Sequence, residues 1–314
     1  MRIVSCYPIH TFMFFVFVVS VGSGFDLLRK TIESAQCLFG ECCSNALHFN
    51  HECRSALLHF FQIFMTLEDT TSDFSRLLQA HLEDPSPRRS LVLSLHGFTG
   101  VGKNYAVSIL ASSMFKAGEK SRFYRRFDAT IDFLFKDSVE LYKVYSLPLI
   151  QQVVSKCERS LLVFDEVHKM PSGILDALVP LLGFAESVKG VDYRKAIFSI
   201  QYGDLRRALS MSIYNEEGAL KFSDLISSHV VTAAVPFLPL QEVHIRSCIV
   251  DAARRLGVED TEAMIDFVLN ELDWEPEDTH LFSSSGCKLV HEKVGFYLQQ
   301  RSFGSRSTTI RDEL

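Results

Sequence analysis

A chain of 314 residues is long enough for one large domain plus a smaller one, and 47% hydrophobic with 22% charged residues is an ordinary globular composition. The formal net charge of −6, with no basic tract, gives no reason to expect nucleic acid as a partner. No internal repeat is evident.

At the N-terminus Arg2 supplies a positive charge, residues 12–19 form an unbroken apolar run, and Gly22, Ser23 and Gly24 offer small residues to a signal peptidase. The run is too short to span a bilayer, so residues 1–24 read as a cleaved secretory signal, with a retained anchor as the alternative. Residues 25–84 follow as a Cys-containing segment, helical in pattern to about Ala80. Cys42, Cys43, His48, His51 and Cys53 cluster within it. Their spacing fits no standard zinc finger, and an oxidising compartment favours disulfides over metal. Seven cysteines remain once the signal is removed, so at least one is free or intermolecular. Residues 83–89 are a proline-broken polar lead-in to the next element.

The apolar run 90–95 reads as a buried strand, and residues 105–115 repeat their apolar positions at helical spacing. Between them stands Gly97-Phe98-Thr99-Gly100-Val101-Gly102-Lys103-Asn104. Strand, glycine-rich turn and helix are the context of a phosphate-binding loop. Its glycines let backbone N–H groups close around an anion at a helix N-terminus, and Lys103 reaches the terminal phosphates. Asn104 stands where a Ser or Thr hydroxyl normally meets Mg²⁺, and an amide oxygen would have to take that place. Residues 122–129 hold a second strand, and 138–156 a helix that Pro148 should kink or restart. The apolar run 160–164 ends in Asp165-Glu166. Downstream of a phosphate loop, Asp165 would hold Mg²⁺ through water and Glu166 would polarise the water that attacks the γ-phosphate.

Further strands are expected at 195–200 and within 230–238. Strands alternating with helices imply an α/β fold with a mostly parallel sheet covered on both faces. From Gln241 the pattern turns wholly helical, with helices at 242–256, 261–272 and 286–301 and Gly257 stopping the first. Residues 85–240 then read as the nucleotide-binding domain and 241–314 as a small helical one. The chain closes on Arg311-Asp312-Glu313-Leu314, one basic residue away from the Lys-Asp-Glu-Leu retrieval signal. Together with the N-terminal signal it points to the endoplasmic reticulum. No Asn-x-Ser/Thr, His-Glu-x-x-His or Gly-x-Ser-x-Gly motif occurs.

These residues carry a resemblance. Leu95-His96-Gly97 through Asn104, the stretch 157–166 with Lys169-Met170, Val235-Pro236-Phe237-Leu238-Pro239-Leu240 and Gly286-Cys287-Lys288 resemble the torsins, AAA+ ATPases of the endoplasmic reticulum and nuclear envelope lumen. The similarity runs from about Leu91 to Tyr297, and Cys37, Cys42 and Cys43 echo the family's N-terminal cysteines. It implies an AAA+ P-loop fold with ATP and Mg²⁺ as cofactors, and Lys288 as a phosphate sensor contributed by the small domain. It also pairs Cys287 with Cys248. That bridge has two readings, a static staple or a redox device that moves Lys288. A lysine near a helix N-terminus is unfavourable unless an anion offsets it, which independently supports the sensor role.

The resemblance further implies oligomers, homo- or hetero-, protein clients, and an activator: the lumenal domain of a membrane protein that supplies an arginine finger. Two departures stand out. The chain after Ile200 is shorter than the family's, leaving Gln201 as the nearest candidate for the polar residue, normally Asn, that ends this strand. The segment before Pro85 lacks the Phe-Gly-Gln signature that frames adenine. The function expected is therefore chaperone-like remodelling of protein or membrane-associated complexes, driven by ATP. Its rival is an ATP-binding scaffold with little hydrolysis. A small-molecule P-loop kinase suits the C-terminal helices and Lys288 less well.

Overall fold

The structure, a computed structural model, describes residues 41, 43, 68–135, 137–203 and 230–309, with the side chains of 68–75 and 302–309 excepted. The expected signal (1–24), the retrieval tail (311–314), most of the N-terminal cysteine segment and the stretch after Gly203 lie outside these residues.

Five parallel strands make the main sheet: β1 (Leu91–His96), β2 (Tyr124–Asp128), β3 (Leu161–Asp165), β4 (Ile197–Tyr202) and β5 (Ala233–Pro236). Their order across the sheet is β2-β3-β4-β1-β5. The first apolar run thus becomes an inner strand, and every residue of β1, β3 and β4 is buried. Strands covered on both faces need continuous rather than alternating apolar sequence, which is what the three runs supply.

The helices are α1 (Glu68–Glu83), α2 (Lys103–Met114), α3 (Ala129–Asp132), α4 (Val139–Lys156), α5 (Val179–Leu182), α6 (Glu242–Arg255), α7 (Glu262–Asn270) and α8 (Val290–Thr309). Two cores result. One joins α2, β1 and β5 to α6, α7 and α8 through Val107, Leu110, Phe237, Ile249, Val268 and Val294. The other packs α4 and the β3–β4 connection on the opposite face, around Phe127, Phe164, Phe198 and Leu182. Each fully buried side chain of this size contributes about 2 kcal/mol.

Three expectations change. Helix α4 neither stops nor restarts at Pro148, because the proline sits on the exposed face. The carbonyl it deprives of a donor belongs to Val144, 71% exposed, where solvent has access to it. The C-terminal region is not wholly helical: β6 (Trp274–Glu275) pairs antiparallel with β7 (Phe282–Ser283) between α7 and α8. Two-residue strands are too short to show a period. Finally, α8 begins at Val290 rather than at 286, and residues 284–288 form turns. Among the described residues no helix is long and apolar enough to cross a membrane.

All four described cysteines are paired. Cys43 joins Cys157 over a separation of 114 residues, and Cys248 joins Cys287 over 39. In the chain-entropy account, loops of that size are worth roughly 5 and 4 kcal/mol against the unfolded state. Cys37, Cys42 and Cys53 lie outside the described residues.

Candidate functional site

The buried strand β1 delivers the chain to Gly97 at the carboxyl edge of the sheet. A Cβ at Gly97 would come within 2.5 Å of the Phe237 carbonyl oxygen, so only glycine lets the loop pass beneath the exit of β5. Gly100 (φ 86°) and Gly102 (φ 102°) take left-handed conformations that turn the loop into the first residue of α2, Lys103. That helix carries no acidic residue in its first turn to compete with an incoming anion. Lys103 is only 7% exposed, and its ammonium donates to the carbonyls of Gly97 at 2.6 Å and Phe98 at 2.8 Å. Burial lowers its pKa, while the carboxylates of Glu166 and Asp165 pull it back up. The loop is therefore already closed around the cation that would meet the phosphates.

The acidic half comes from β3 and its neighbour. Asp165 ends β3 with a side chain 5% exposed, opposite Asp128 in the β2 ladder. Its Oδ1 accepts the Glu166 N–H at 2.9 Å. Its Oδ2 accepts from Arg126 and, at 3.4 Å, from the Asn104 amide. Glu166 adopts a left-handed conformation (φ 55°), which turns its carboxylate toward the Lys169 ammonium at 2.6 Å and His168 Nε2 at 3.4 Å. That bond raises the Lys169 pKa. His168 Nδ1 accepts the Gly203 N–H at 3.2 Å, which leaves the proton on the nitrogen facing Glu166.

A third wall folds over from the C-terminal region. The Cys287 N–H donates to the Gly100 carbonyl at 3.2 Å. A Cβ at Gly286 would sit 2.5 Å from the same oxygen. The Cys248–Cys287 bridge thus fastens α6 to a segment resting directly on the glycine-rich loop at Gly100. Lys288 lies two residues ahead of α8 and is exposed.

The three walls enclose a cleft of about 570 Å³. Thr99, Gly100, Gly102, Lys103, Asn104, Asp165, Glu166 and Lys288 all line it. Gly97, Phe98 and Val101 stand off the wall. Val101 is 3% exposed in the core, and Phe98 contributes its carbonyl while its ring is 45% exposed. Sequence reasoning missed Asp251 and Arg255, three and seven residues beyond Cys248 and hence on the same helix face. It also missed Tyr105, whose ring lies 5.7 Å beneath the Arg255 guanidinium. That spacing was a readable signal.

Gln201 lines the cleft as well, from within β4 rather than beyond it. It is 1% exposed, and neither its amide nitrogen nor its amide oxygen has a partner among the described residues.

The donor set fits Mg²⁺. Asp165 offers carboxylate oxygens and Asn104, whose amide nitrogen donates to Asp165 Oδ2, carries an amide oxygen on the same terminal group; Mg²⁺ usually takes one or two protein ligands, leaving the rest to water and phosphate. Among the described residues no cluster of three or more His, Cys, Asp or Glu competes as a metal site.

A family model described as Torsin matches residues 37–164, and one described as Torsin-1A, C-terminal domain matches residues 240–297. A Torsin-like protein of Caenorhabditis elegans is 39% identical over 246 residues, 69% of each chain. Among solved structures, the S. cerevisiae Hsp104–ADP complex is similar at TM-score 0.54 and 15% identity, covering 90% of this chain and 52% of that one. A closed-state Hsp104 with ATPγS and casein is similar at TM-score 0.52 and 15% identity, covering 84% and 49%. The chain spans about half the length of these Hsp104 chains, and at that identity the likeness speaks for the AAA+ fold alone.

Proposed function

The chain belongs to the torsin family, and from that premise we propose that it is an ATPase of the endoplasmic reticulum lumen, or the contiguous nuclear envelope lumen, that couples ATP binding and hydrolysis to remodelling of protein or membrane-associated complexes. The observation that carries this reading is the convergence of Lys103, Asn104, Asp165, Glu166 and Lys288 on one cleft.

In this reading Lys103 exchanges its two loop carbonyls for the β- and γ-phosphates of ATP, and the backbone of 97–102 cradles them. Asn104 and Asp165 would hold Mg²⁺, which would neutralise charge on the phosphates. Glu166 polarises the attacking water once its carboxylate is released from Lys169. Lys288 approaches the same phosphates from the turn before α8 and reports their presence to the C-terminal helices, where the Cys248–Cys287 bridge fixes its footing. Residues 85–240 act as the nucleotide-binding domain and 241–314 as the small domain. The arginine finger comes in trans from the lumenal domain of a membrane-protein activator within a homo- or hetero-oligomer. Protein clients complete the set of partners.

One observation favours a second reading. Gln201, one methylene longer than the Asn expected at this strand end, has an amide with no partner among the described residues to fix its placement, and a misplacement of about 1 Å costs on the order of 10²-fold in rate. The alternative is therefore an ATP-binding scaffold that turns over slowly. Purified protein assayed for ATP hydrolysis with and without an activator lumenal domain separates the two. Stimulated turnover supports the motor, tight binding with negligible turnover supports the scaffold, and no ATP binding overturns both.

A further inference from the structure

Asp165 already carries a bound cation, the guanidinium of Arg126. Strand β2 pairs with β3 in parallel, Arg126 opposite Val163 and Asp128 opposite Asp165. Alternation along a strand puts Arg126 and Asp128 on one face, so Arg126 is the diagonal neighbour of Asp165 and long enough to reach it. Its guanidinium donates to Asp165 Oδ2, and the same nitrogen lies 3.9 Å from Asp128 Oδ2. The two carboxylates are unequal hosts: the Asp165 side chain is 5% exposed, that of Asp128 23%. Arg126 does not line the cleft, although Asp128 and Asp165 both do. It therefore neutralises Asp165 from behind, without standing where a phosphate would lie.

We infer that Arg126 is a resident counter-cation which shares Asp165 with the divalent metal, allowing the cleft to bind ATP without metal and moving toward Asp128 when metal arrives. A carboxylate this buried is costly unless paired, and left bare it would repel the γ-phosphate. With Arg126 on it, the metal-free cleft presents Lys103 and Lys288 to the phosphates with no uncompensated charge at Asp165. A metal ion held at Asp165, directly or through water, would draw on the same carboxylate that Arg126 and Asn104 engage at Oδ2, and Asp128, 3.9 Å from the same guanidinium nitrogen, is there to receive the displaced charge. Arg126 is thus a positioning residue, and the inference rests on the reading of the cleft as a nucleotide site.

The test measures ATPγS affinity of the full chain, disulfides intact, in EDTA and across a Mg²⁺ titration. The wild type should bind in EDTA within about tenfold of its affinity in Mg²⁺. Arg126→Leu should lose at least about tenfold more in EDTA than in Mg²⁺, and Arg126→Lys should restore part of that loss. Asp128→Asn keeps the Arg126–Asp165 pair and sits at a partly exposed position, so it should fold even if Arg126→Leu does not. Its affinity in EDTA should fall less than that of Arg126→Leu, and it should require more Mg²⁺ than the wild type to reach saturation, because the displaced arginine has lost its second host. No binding by the wild type in either condition would sink the nucleotide reading itself. Metal-dependent binding by the wild type, or unchanged EDTA-to-Mg²⁺ ratios in both Arg126→Leu and Asp128→Asn, would leave that reading standing and overturn the role of Arg126.

Discussion

Strands β1 and β4 end side by side, Leu95 opposite Gln201 and His96 opposite Tyr202, yet their ends are finished in opposite ways. Beyond β1 the chain closes on itself: Lys103 holds the Gly97 and Phe98 carbonyls, the Gly97 N–H holds the Tyr202 carbonyl, and the Gly100 carbonyl holds the Cys287 N–H. At the end of β4 a whole amide side chain is buried with no partner among the described residues. The difference teaches where each half of the chemistry resides. Binding phosphate draws on backbone groups and one lysine, which short-range geometry can complete. Holding a water in line draws on side chains placed by two strands and the connection that follows them. Among the described residues the β1 end has its partners and the Gln201 amide at the β4 end has none.

The largest expected effect strikes the β1 end. Lys103→Ala should abolish measurable ATP binding, because the loop loses the cation its carbonyls now enclose. Retained ATP affinity in that variant would mean that phosphate is held elsewhere, and the contrast between the two ends would collapse. Next comes the acidic side. Glu166→Gln should keep ATP affinity while lowering whatever turnover the wild type shows by about 10²-fold or more. Parallel losses of affinity and turnover would show that binding and chemistry are not divided as described.

A third, smaller effect probes the seam itself. His96 is 4% exposed, donates or accepts through Nε2 with Ser94 Oγ at 2.7 Å, and lies 6.0 Å from the Tyr202 ring. Burial, aided by the Lys103 charge, pushes its pKa from 6.5 to about 4. A folded pKa below the unfolded one means the unfolded chain binds the proton first. The contribution is therefore intact above pH 6.5 and is lost progressively as pH falls toward 4. Between pH 6.5 and 5 it should amount to about 2 kcal/mol, visible as a steeper acid dependence of urea unfolding in wild type than in His96→Gln. Equal slopes would contradict it.

The smallest effect belongs to Gln201. Replacing it with leucine removes two buried polar atoms without partners and should stabilise the fold by about 1 kcal/mol. Any turnover should fall in the same variant if the amide does help to place water. Higher stability with unchanged turnover would show the β4 end to be catalytically silent, and lower stability would show that the amide has found a partner in the folded protein.

Much of this site was legible in the chain because it is local. Residues 97–104 are contiguous, and a loop between a buried strand and a helix has little freedom in how it presents its glycines and lysine. Asp165-Glu166 was legible for the same reason, as the polar end of an apolar run. Lys288 was found mainly through resemblance, since 185 residues separate it from Lys103 and its place near a helix N-terminus is the one local sign of an anion. The β6–β7 ribbon was invisible because two residues carry no period, and Pro148 misled because its effect depends on which face of α4 meets water.

By itself, then, the sequence determined the elements that short-range sterics and apolar patterning dictate: the inner strands, the phosphate loop, the acidic strand end and the C-terminal helices. Only the tertiary structure decided which of them meet. Strand order β2-β3-β4-β1-β5 puts β4 beside β1 and so buries Gln201 against the cleft. Ladder register turns Arg126 from a surface cation into the partner of Asp165. The fold of 284–288 over Gly100 makes the Cys248–Cys287 bridge part of the cleft wall, and the docking of Cys43 on Cys157 closes a loop of 114 residues. Each of these contacts joins residues far apart in the chain, and a side chain's own neighbours carry no record of the strand that will be laid beside it.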